Sequence, residues 1–345
     1  MRLYLVYTLP KWIDETFTVK SISMPFNYVL FNQFDLHPPG YYLFLKLWSL
    51  INASLIWLRL SSVLLFIVNC LLLYKIGGKT VNKKYSYLLV ISYAFSGYSI
   101  IFDWSLRPYT GLCTLILGSF YLLTLPQTRK ILFAFLILNA FGLYFDYGFI
   151  WYFCSLVIFI VYQTCESAKG KKTINLKYFL VPTIGSACFY ILVWGFQFIS
   201  RFHEALAVVN WIRFYTSPSF IIHFFLGTAH GINAFFIVLG LQFIIGSLYL
   251  LRKKQNVLFY FFPISSIMTL CFTSVFSVFI SPILHVRNLQ IVGLSVIIIY
   301  ALCFYWLSEK KYLYAVVIAL GIYVANFFFI VNTIFNTPGR LLLKF

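Results

Sequence analysis

Apolar residues recur along this chain in runs of close to 20, and short polar connections separate the runs. A helix of about 20 residues crosses a hydrocarbon layer of about 30 Å. The pattern therefore predicts an all-α fold, a polytopic transmembrane helix bundle with about ten spans. The predicted spans are 58–76, 85–102, 108–126, 131–145, 147–165, 178–199, 232–251, 257–280, 289–307 and 313–335.

The first 57 residues break this pattern, because they hold no full apolar run. Tyr41–Ile51 is their best helix candidate, since Pro38-Pro39 precedes it and aromatic side chains follow one face. We expect residues 1–57 to form an external loop with interfacial helices, and residues 58–345 to form the transmembrane bundle. Residues 1–10 also resemble the end of a further transmembrane helix that begins outside this sequence, which would make eleven spans.

Composition agrees with the hydropathy pattern, and the distribution of charge predicts which side of the bundle is cytoplasmic. Of 345 residues, 62% are hydrophobic and 10% are charged, which excludes an ordinary soluble domain. The net charge of +18 would suit nucleic acid, but Lys and Arg cluster between the apolar runs. The clusters lie at 79–84, 129–130, 169–177, 252–254 and 310–311. They share one side of the predicted bundle, which the positive-inside rule makes cytoplasmic. We expect a multi-pass cell-membrane protein with no nucleic-acid partner.

Carboxylates concentrate on the opposite, extracytoplasmic side. The chain has eight acidic residues, and three of them fall within residues 1–57: Asp14, Glu15 and Asp35. Asp35 lies two positions before His37. Such a cluster in a chain this poor in acid is a candidate for general base chemistry. The seven cysteines lie in or beside apolar runs without a CxxC pair, so they imply neither a disulfide framework nor a zinc site.

Several short motifs add chemical detail. They read W-I-D-E at 12–15, D-L-H-P-P-G-Y-Y at 35–42, L-R-L-S-S at 58–62, S-L-R-P-Y at 105–109 and V-R-N at 286–288. In this order they resemble motifs of GT-C superfamily membrane glycosyltransferases, closest to the protein O-mannosyltransferase and aminoarabinose transferase branch (glycosyltransferase family 39-like). The likeness is best over about the first 110 residues. The chain departs from the family pattern at Gly40, Ser105, Asn288 and 146–147, where leucine, glutamate, tyrosine and a His-Tyr pair are usual.

The resemblance implies transfer of a sugar from a polyprenyl-phosphate donor to an acceptor, with inversion, on the non-cytoplasmic face. The acceptor would be a protein, a lipid or a glycan. Its hydroxyl loses a proton as it attacks, so a carboxylate base is needed. Asp14 is the first candidate, and Glu15 and Asp35 would orient the acceptor.

The leaving lipid phosphate gains negative charge, which guanidinium groups stabilise well in a dry site. Arg107 and Arg287 are the candidate phosphate-binding residues, together with His37. Asp103, Tyr109 and Asp146 are additional candidates, since an acid at the edge of a span is often functional. Each of these two acids would equally pair with Arg107 or face the outer water.

No cofactor is implied with certainty, and a divalent metal is left open. Carboxylates with an imidazole suit a hard to borderline cation, so Asp14, Asp35 and His37 would be its ligands. The same residues also have structural interpretations. Asp14 and Glu15 would then be acids at the N-terminus of a helix, and His37 would be a helix cap. Arg107 and Arg287 would be anchors at the membrane interface, with their charged ends directed toward water.

Two other functions stay open. A transporter or flippase of lipid-linked sugars is also a polytopic bundle with charges at membrane depth, although no inverted repeat is evident here. An assembly subunit without activity is the other, because Ser105 and Asn288 depart from the family pattern. Convergence of the outer carboxylates with Arg107 and Arg287 would favour the enzyme.

Overall fold

The computed structural model describes residues 1–31, 37–169, 176–197, 199–200, 234–252, 258–279 and 289–336. Helix is the regular secondary structure in these ranges, and they contain no strand. The prediction of an all-α polytopic bundle is therefore confirmed.

Four short helices precede the first long one. They are α1 (Arg2–Thr8), α2 (Ile13–Ser23), α3 (Phe26–Phe31) and α4 (Gly40–Ser49). Helix α1 packs on the first long helix, and α2 and α3 pack on α4. The helix expected over Tyr41–Ile51 corresponds to α4.

Eleven longer or linking helices follow in the described ranges. They are α5 (Leu55–Thr80), α6 (Lys83–Ala94), α7 (Gly97–Phe102), α8 (Tyr109–Leu123), α9 (Arg129–Phe145), α10 (Gly148–Ala168), α11 (Lys177–Tyr190, continued as a π-helical turn over Ile191–Gly195), α12 (Ala234–Arg252), α13 (Leu258–Phe279), α14 (Gln290–Glu309) and α15 (Leu313–Asn336). Apart from α6 and α7, their bounds follow the predicted spans closely.

Six helices are long and apolar enough to cross a membrane, which makes this a multi-pass membrane protein. They are Leu55–Thr80, Gly148–Ala168, Lys177–Gly195, Tyr260–Ser277, Gln290–Glu309 and Leu313–Phe335. Tyr109–Leu123 and Ile237–Leu251 are apolar but shorter. A total of ten or eleven spans stays a prediction.

The predicted span at 85–102 is two helices in the structure. The Ser96 hydroxyl accepts hydrogen bonds from the backbone N–H groups of Tyr98 and Ser99, at 3.2 and 3.4 Å, and so caps α7. A serine side chain offers the backbone this alternative to a continuous helix. Hydropathy did not reveal the break because apolar residues continue on both sides of it.

The bundle is centred on α14, whose residues Gln290–Tyr305 are all buried. It packs against α6, α8, α12, α13 and α15. A helix that is apolar all round is stable in this position, because no face has to meet water.

A close approach between α4 and the end of α9 brings the His-Pro-Pro turn to the bundle. A Cβ atom on Gly40 would lie 2.5 Å from the Tyr144 carbonyl oxygen and 2.8 Å from Phe145 Cα. No side chain fits there unless the backbone moves. Glycine at position 40 therefore lets His37 lie beside the α9–α10 turn.

We expect Gly40→Ala to destabilise the fold, because the added methyl group overlaps backbone atoms that cannot rotate away. Overpacking of this kind costs about 1–3 kcal/mol. Gly321→Ala is the matched control, since Gly321 lies in α15 with nothing within 4 Å of its added Cβ. Thermal unfolding in detergent should show a lower melting temperature for Gly40→Ala alone. Equal melting temperatures would contradict the close approach.

Candidate functional site

Glu15 lies in a fully buried ion pair with Arg59. Arg59 Nε donates to Glu15 Oε1 at 2.9 Å and Arg59 Nη2 to Oε2 at 2.5 Å. The backbone N–H groups of Trp12 and Leu106 donate to the same carboxylate, each at 2.9 Å. Each carboxylate oxygen thus accepts two hydrogen bonds. This geometry gives Glu15 a structural role, and a part in chemistry stays a prediction.

Arg59 also holds the end of α1. Its guanidinium donates to the carbonyl oxygens of Val6, Leu9 and Pro10, at 3.1, 2.8 and 2.8 Å. The last carbonyls of a helix have no partner inside the helix, so a cation there stabilises the end. The pair therefore joins α1, α2, α5 and the connection between α7 and α8.

Asp103 lies in a second buried network, centred on Arg2. Arg2 Nε donates to Asp103 Oδ2 at 2.9 Å, and Arg2 Nη2 donates to Ser99 Oγ at 2.9 Å. Asp103 Oδ1 accepts from Thr110 Oγ1 at 3.3 Å and from the Tyr93 hydroxyl at 3.5 Å. Burial raises the pKa of Asp103, and the Arg2 guanidinium opposes that rise.

The partner of Asp103 differs from both expectations. Sequence reasoning offered Arg107 or the outer water, whereas the structure pairs Asp103 with Arg2 in the protein interior. Arg2 lies 101 positions away in the chain, so no local pattern could have indicated it.

Arg107 is 95% buried, and its described contacts are a hydroxyl, an imidazole and an aromatic ring. Nη1 lies 3.4 Å from Thr18 Oγ1, and Nη2 lies 3.4 Å from His37 Nε2. The guanidinium carbon lies 6.0 Å from the ring centre of Tyr109, which is itself buried. The Thr18 hydroxyl donates to the backbone carbonyl of Asp14 at 3.1 Å. This contact links Arg107 to the first turn of α2.

His37 bridges Arg107 and Asp146. Its Nδ1 lies 3.2 Å from Asp146 Oδ2, within ion-pair distance but off the ideal hydrogen-bond angle. Asp146 Oδ1 accepts from the backbone N–H of Gly148 at 2.7 Å. The ring of Tyr147 stacks on the imidazole, with centroids 6.4 Å apart and planes at 26°. His37 keeps 26% of its side-chain surface exposed, so a solute can reach this site.

Tyr41 is a site residue that sequence reasoning missed. Its hydroxyl is buried and has no hydrogen-bond partner among the described residues. Burial raises the pKa of Tyr41 well above its usual value, although the nearby Arg107 guanidinium lowers it. The phenol therefore stays protonated at neutral pH and is a hydrogen-bond donor beside Arg107. The only sequence signal was its place in the Y-Y pair of the D-L-H-P-P-G-Y-Y motif.

Lys46, farther along α4, has a structural role. Its ammonium group donates to the carbonyl oxygen of Ile22 at 2.9 Å and to that of Met24. These carbonyls lie at the end of α2, where a cation is favourable. Lys46 therefore fixes α2 against α4.

The remaining predicted residues divide into two groups. Asp14 is partly exposed in the first turn of α2. Asp35 and Arg287 lie outside the described residues, so their positions stay predictions. Within the described ranges, no group of three or more His, Cys, Asp and Glu side chains could hold a metal. The metal set is untested, because it includes Asp35.

No protein-family profile matches this chain, and no curated protein matches it. The resemblance to GT-C glycosyltransferases therefore depends on the quoted motifs alone and stays a prediction.

Proposed function

We propose that this protein is a glycosyltransferase that moves a sugar from a polyprenyl-phosphate donor to an acceptor on the extracytoplasmic side of the membrane. The observation that carries the proposal is the meeting of separate motif segments at one end of the bundle. Thr18 beside the W-I-D-E motif, His37, Arg107 and Asp146 form one continuous set of contacts.

The helix directions support the proposed side. Helix α8 leaves the site at Tyr109 and α9 returns to it at Phe145, so the basic connection at 129–130 lies at the far end. Helix α10 likewise runs away from Asp146 toward Lys169. Because basic connections mark the cytoplasmic side, the Arg107 end is extracytoplasmic.

The proposed phosphate-binding groups are all hydrogen-bond donors or cations. Arg107 supplies a buried guanidinium, and Tyr41 supplies a protonated phenol beside it. His37 lies at the exposed edge of the site, where it contacts the Arg107 guanidinium and is not itself one of these donors. Such donors stabilise a phosphate more strongly where water is excluded.

The proposed reaction is a single displacement. The acceptor oxygen attacks the anomeric carbon, and its proton passes to the Asp14 carboxylate. The bond between the anomeric carbon and the phosphate oxygen breaks, and the polyprenyl phosphate leaves with the electron pair. Attack opposite the leaving group inverts the sugar carbon.

We expect Arg107→Lys to raise the donor KM by roughly 10- to 100-fold and to leave the acceptor KM unchanged. Lysine keeps the charge but lacks the planar fork of donors, and hydrogen bonds to charged groups contribute about 1.5–3 kcal/mol. The assay measures transfer by purified protein from a panel of polyprenyl-phosphate-linked sugars. Arg129→Lys, an exposed substitution at the far end, is the matched control.

Absence of transfer by folded wild-type protein from every donor in the panel would overturn the proposal. Movement of those donors across vesicle membranes without transfer would instead identify a flippase. An effect of Arg107→Lys on the acceptor KM alone would remove Arg107 from the phosphate-binding set.

A further inference from the structure

We infer that Asp146 is a positioning residue, which holds His37 in the tautomer that carries its proton on Nδ1 and thereby lets Nε2 accept a hydrogen bond from Arg107. The contacts run from Asp146 Oδ2 to His37 Nδ1 at 3.2 Å and from His37 Nε2 to Arg107 Nη2 at 3.4 Å. Asp146 thus acts on Arg107 without touching it in the described contacts.

The tautomer follows from what each neighbour of the imidazole can do. A guanidinium group has only donors, so the ring nitrogen that faces Arg107 must be the acceptor. A neutral imidazole has one acceptor and one N–H, which leaves the proton on Nδ1. That nitrogen faces Asp146, whose ionised carboxylate has only acceptors. The two polar contacts described for His37 therefore favour the same tautomer.

The carboxylate and the ring are both held in place. Asp146 Oδ1 accepts from the Gly148 backbone N–H at 2.7 Å, and the Asp146 side chain is 3% exposed. The ring of Tyr147 lies roughly parallel to the imidazole on the same turn. His37 Nδ1 and Asp146 Oδ2 are both sealed from solvent and lie 3.2 Å apart, so burial favours a contact between the N–H and the carboxylate oxygen. The turn between α9 and α10 therefore acts as a clamp on His37.

The clamp has a consequence for donor binding, and this part rests on the proposed function. With one amino group of Arg107 held by His37, the remaining donors of the guanidinium keep a fixed direction. A preoriented guanidinium binds a phosphate without first having to be ordered. Loss of the clamp should therefore weaken donor binding and leave the acceptor unaffected.

Asp146→Asn tests the inference without a change of shape. The Gly148 N–H can only donate, so it should hold the amide oxygen of the new side chain and turn the NH2 group toward His37. Nδ1 must then become the acceptor, and the proton moves to Nε2, where it opposes Arg107. Glu309→Gln is the control, because it makes the same chemical change at the far end, beside the Tyr249 hydroxyl.

The primary measurement is ¹⁵N NMR of histidine-labelled protein in lipid nanodiscs. The chain has five histidines, and the His37 signal is assigned by its loss in His37→Gln. Wild type and Glu309→Gln should show a protonated Nδ1 at His37, and Asp146→Asn a protonated Nε2. In transfer assays, Asp146→Asn should raise the donor KM about tenfold, as expected for one hydrogen bond to a charged group, with the acceptor KM unchanged.

A protonated Nε2 at His37 in the wild type overturns the inference, even if Asp146→Asn fails to fold. A protonated Nδ1 in both wild type and Asp146→Asn also overturns it, because Asp146 would not control the tautomer. If the spectra change as expected while wild-type protein transfers no sugar, the clamp stands and the proposed glycosyltransferase function fails.

Discussion

Replacing Arg59 with methionine should lower the free energy of unfolding by about 3–5 kcal/mol, because it leaves the Glu15 carboxylate buried without its cation. Two backbone N–H groups would still donate to the carboxylate, but they do not neutralise its charge. The carbonyl groups at the end of α1 would also lose their donor. Denaturant or thermal unfolding in detergent measures the effect, and Lys130→Met, an exposed substitution, is the control.

The double variant Arg59→Met with Glu15→Gln separates burial of a lone charge from loss of packing. Removing both charges should recover a large part of the stability lost in Arg59→Met, since the two residues are in contact and their effects are not additive. A single variant Arg59→Met as stable as wild type would contradict the buried pair.

The same double variant tests the two roles considered for Glu15. If Glu15 is structural, sugar transfer should recover together with stability. If Glu15 takes part in the reaction, a folded double variant should remain inactive. The geometry favours recovery, because both carboxylate oxygens are occupied by protein donors.

Helix positions were largely predictable from hydropathy, since the length of an apolar run sets the length of a membrane helix. The span predicted at 257–280 is the helix Leu258–Phe279, and that at 313–335 is Leu313–Asn336. The break at Ser96 was not predictable in this way, because it depends on one hydroxyl that competes for two backbone N–H groups. Hydropathy averaged over about 20 residues does not reveal a helix cap made by a single side chain.

The partners of buried charges were not predictable, because they depend on how helices distant in sequence pack. Arg59 and Glu15 are 44 positions apart, and Arg2 and Asp103 are farther still. The motifs did indicate that His37 and Arg107 belong to one region. They did not indicate Tyr41, which is one of 26 tyrosines in the chain. Its importance lies in a buried hydroxyl that has no hydrogen-bond partner among the described residues.

Asp14→Asn should reduce kcat for sugar transfer by roughly 10²- to 10⁴-fold, the usual contribution of a general base. The donor KM should change little, because Asp14 is assigned to the acceptor. The fold should survive, since Asp14 is partly exposed and loss of its charge from a first helical turn costs at most about 1 kcal/mol. Thr16→Asn, exposed on the same helix, is the control for a substitution in α2.

Undiminished transfer by Asp14→Asn would remove Asp14 as the base. The described contacts then reduce the number of other carboxylates that could take its place. The carboxylates of Glu15 and Asp103 are engaged by Arg59 and Arg2, and that of Asp146 by Gly148 and His37. A carboxylate already held by protein donors or cations is poorly placed to act as the base, because its oxygens are occupied by those contacts. Asp35 would then be the next candidate base, and Asp35→Asn should show the loss expected for Asp14→Asn.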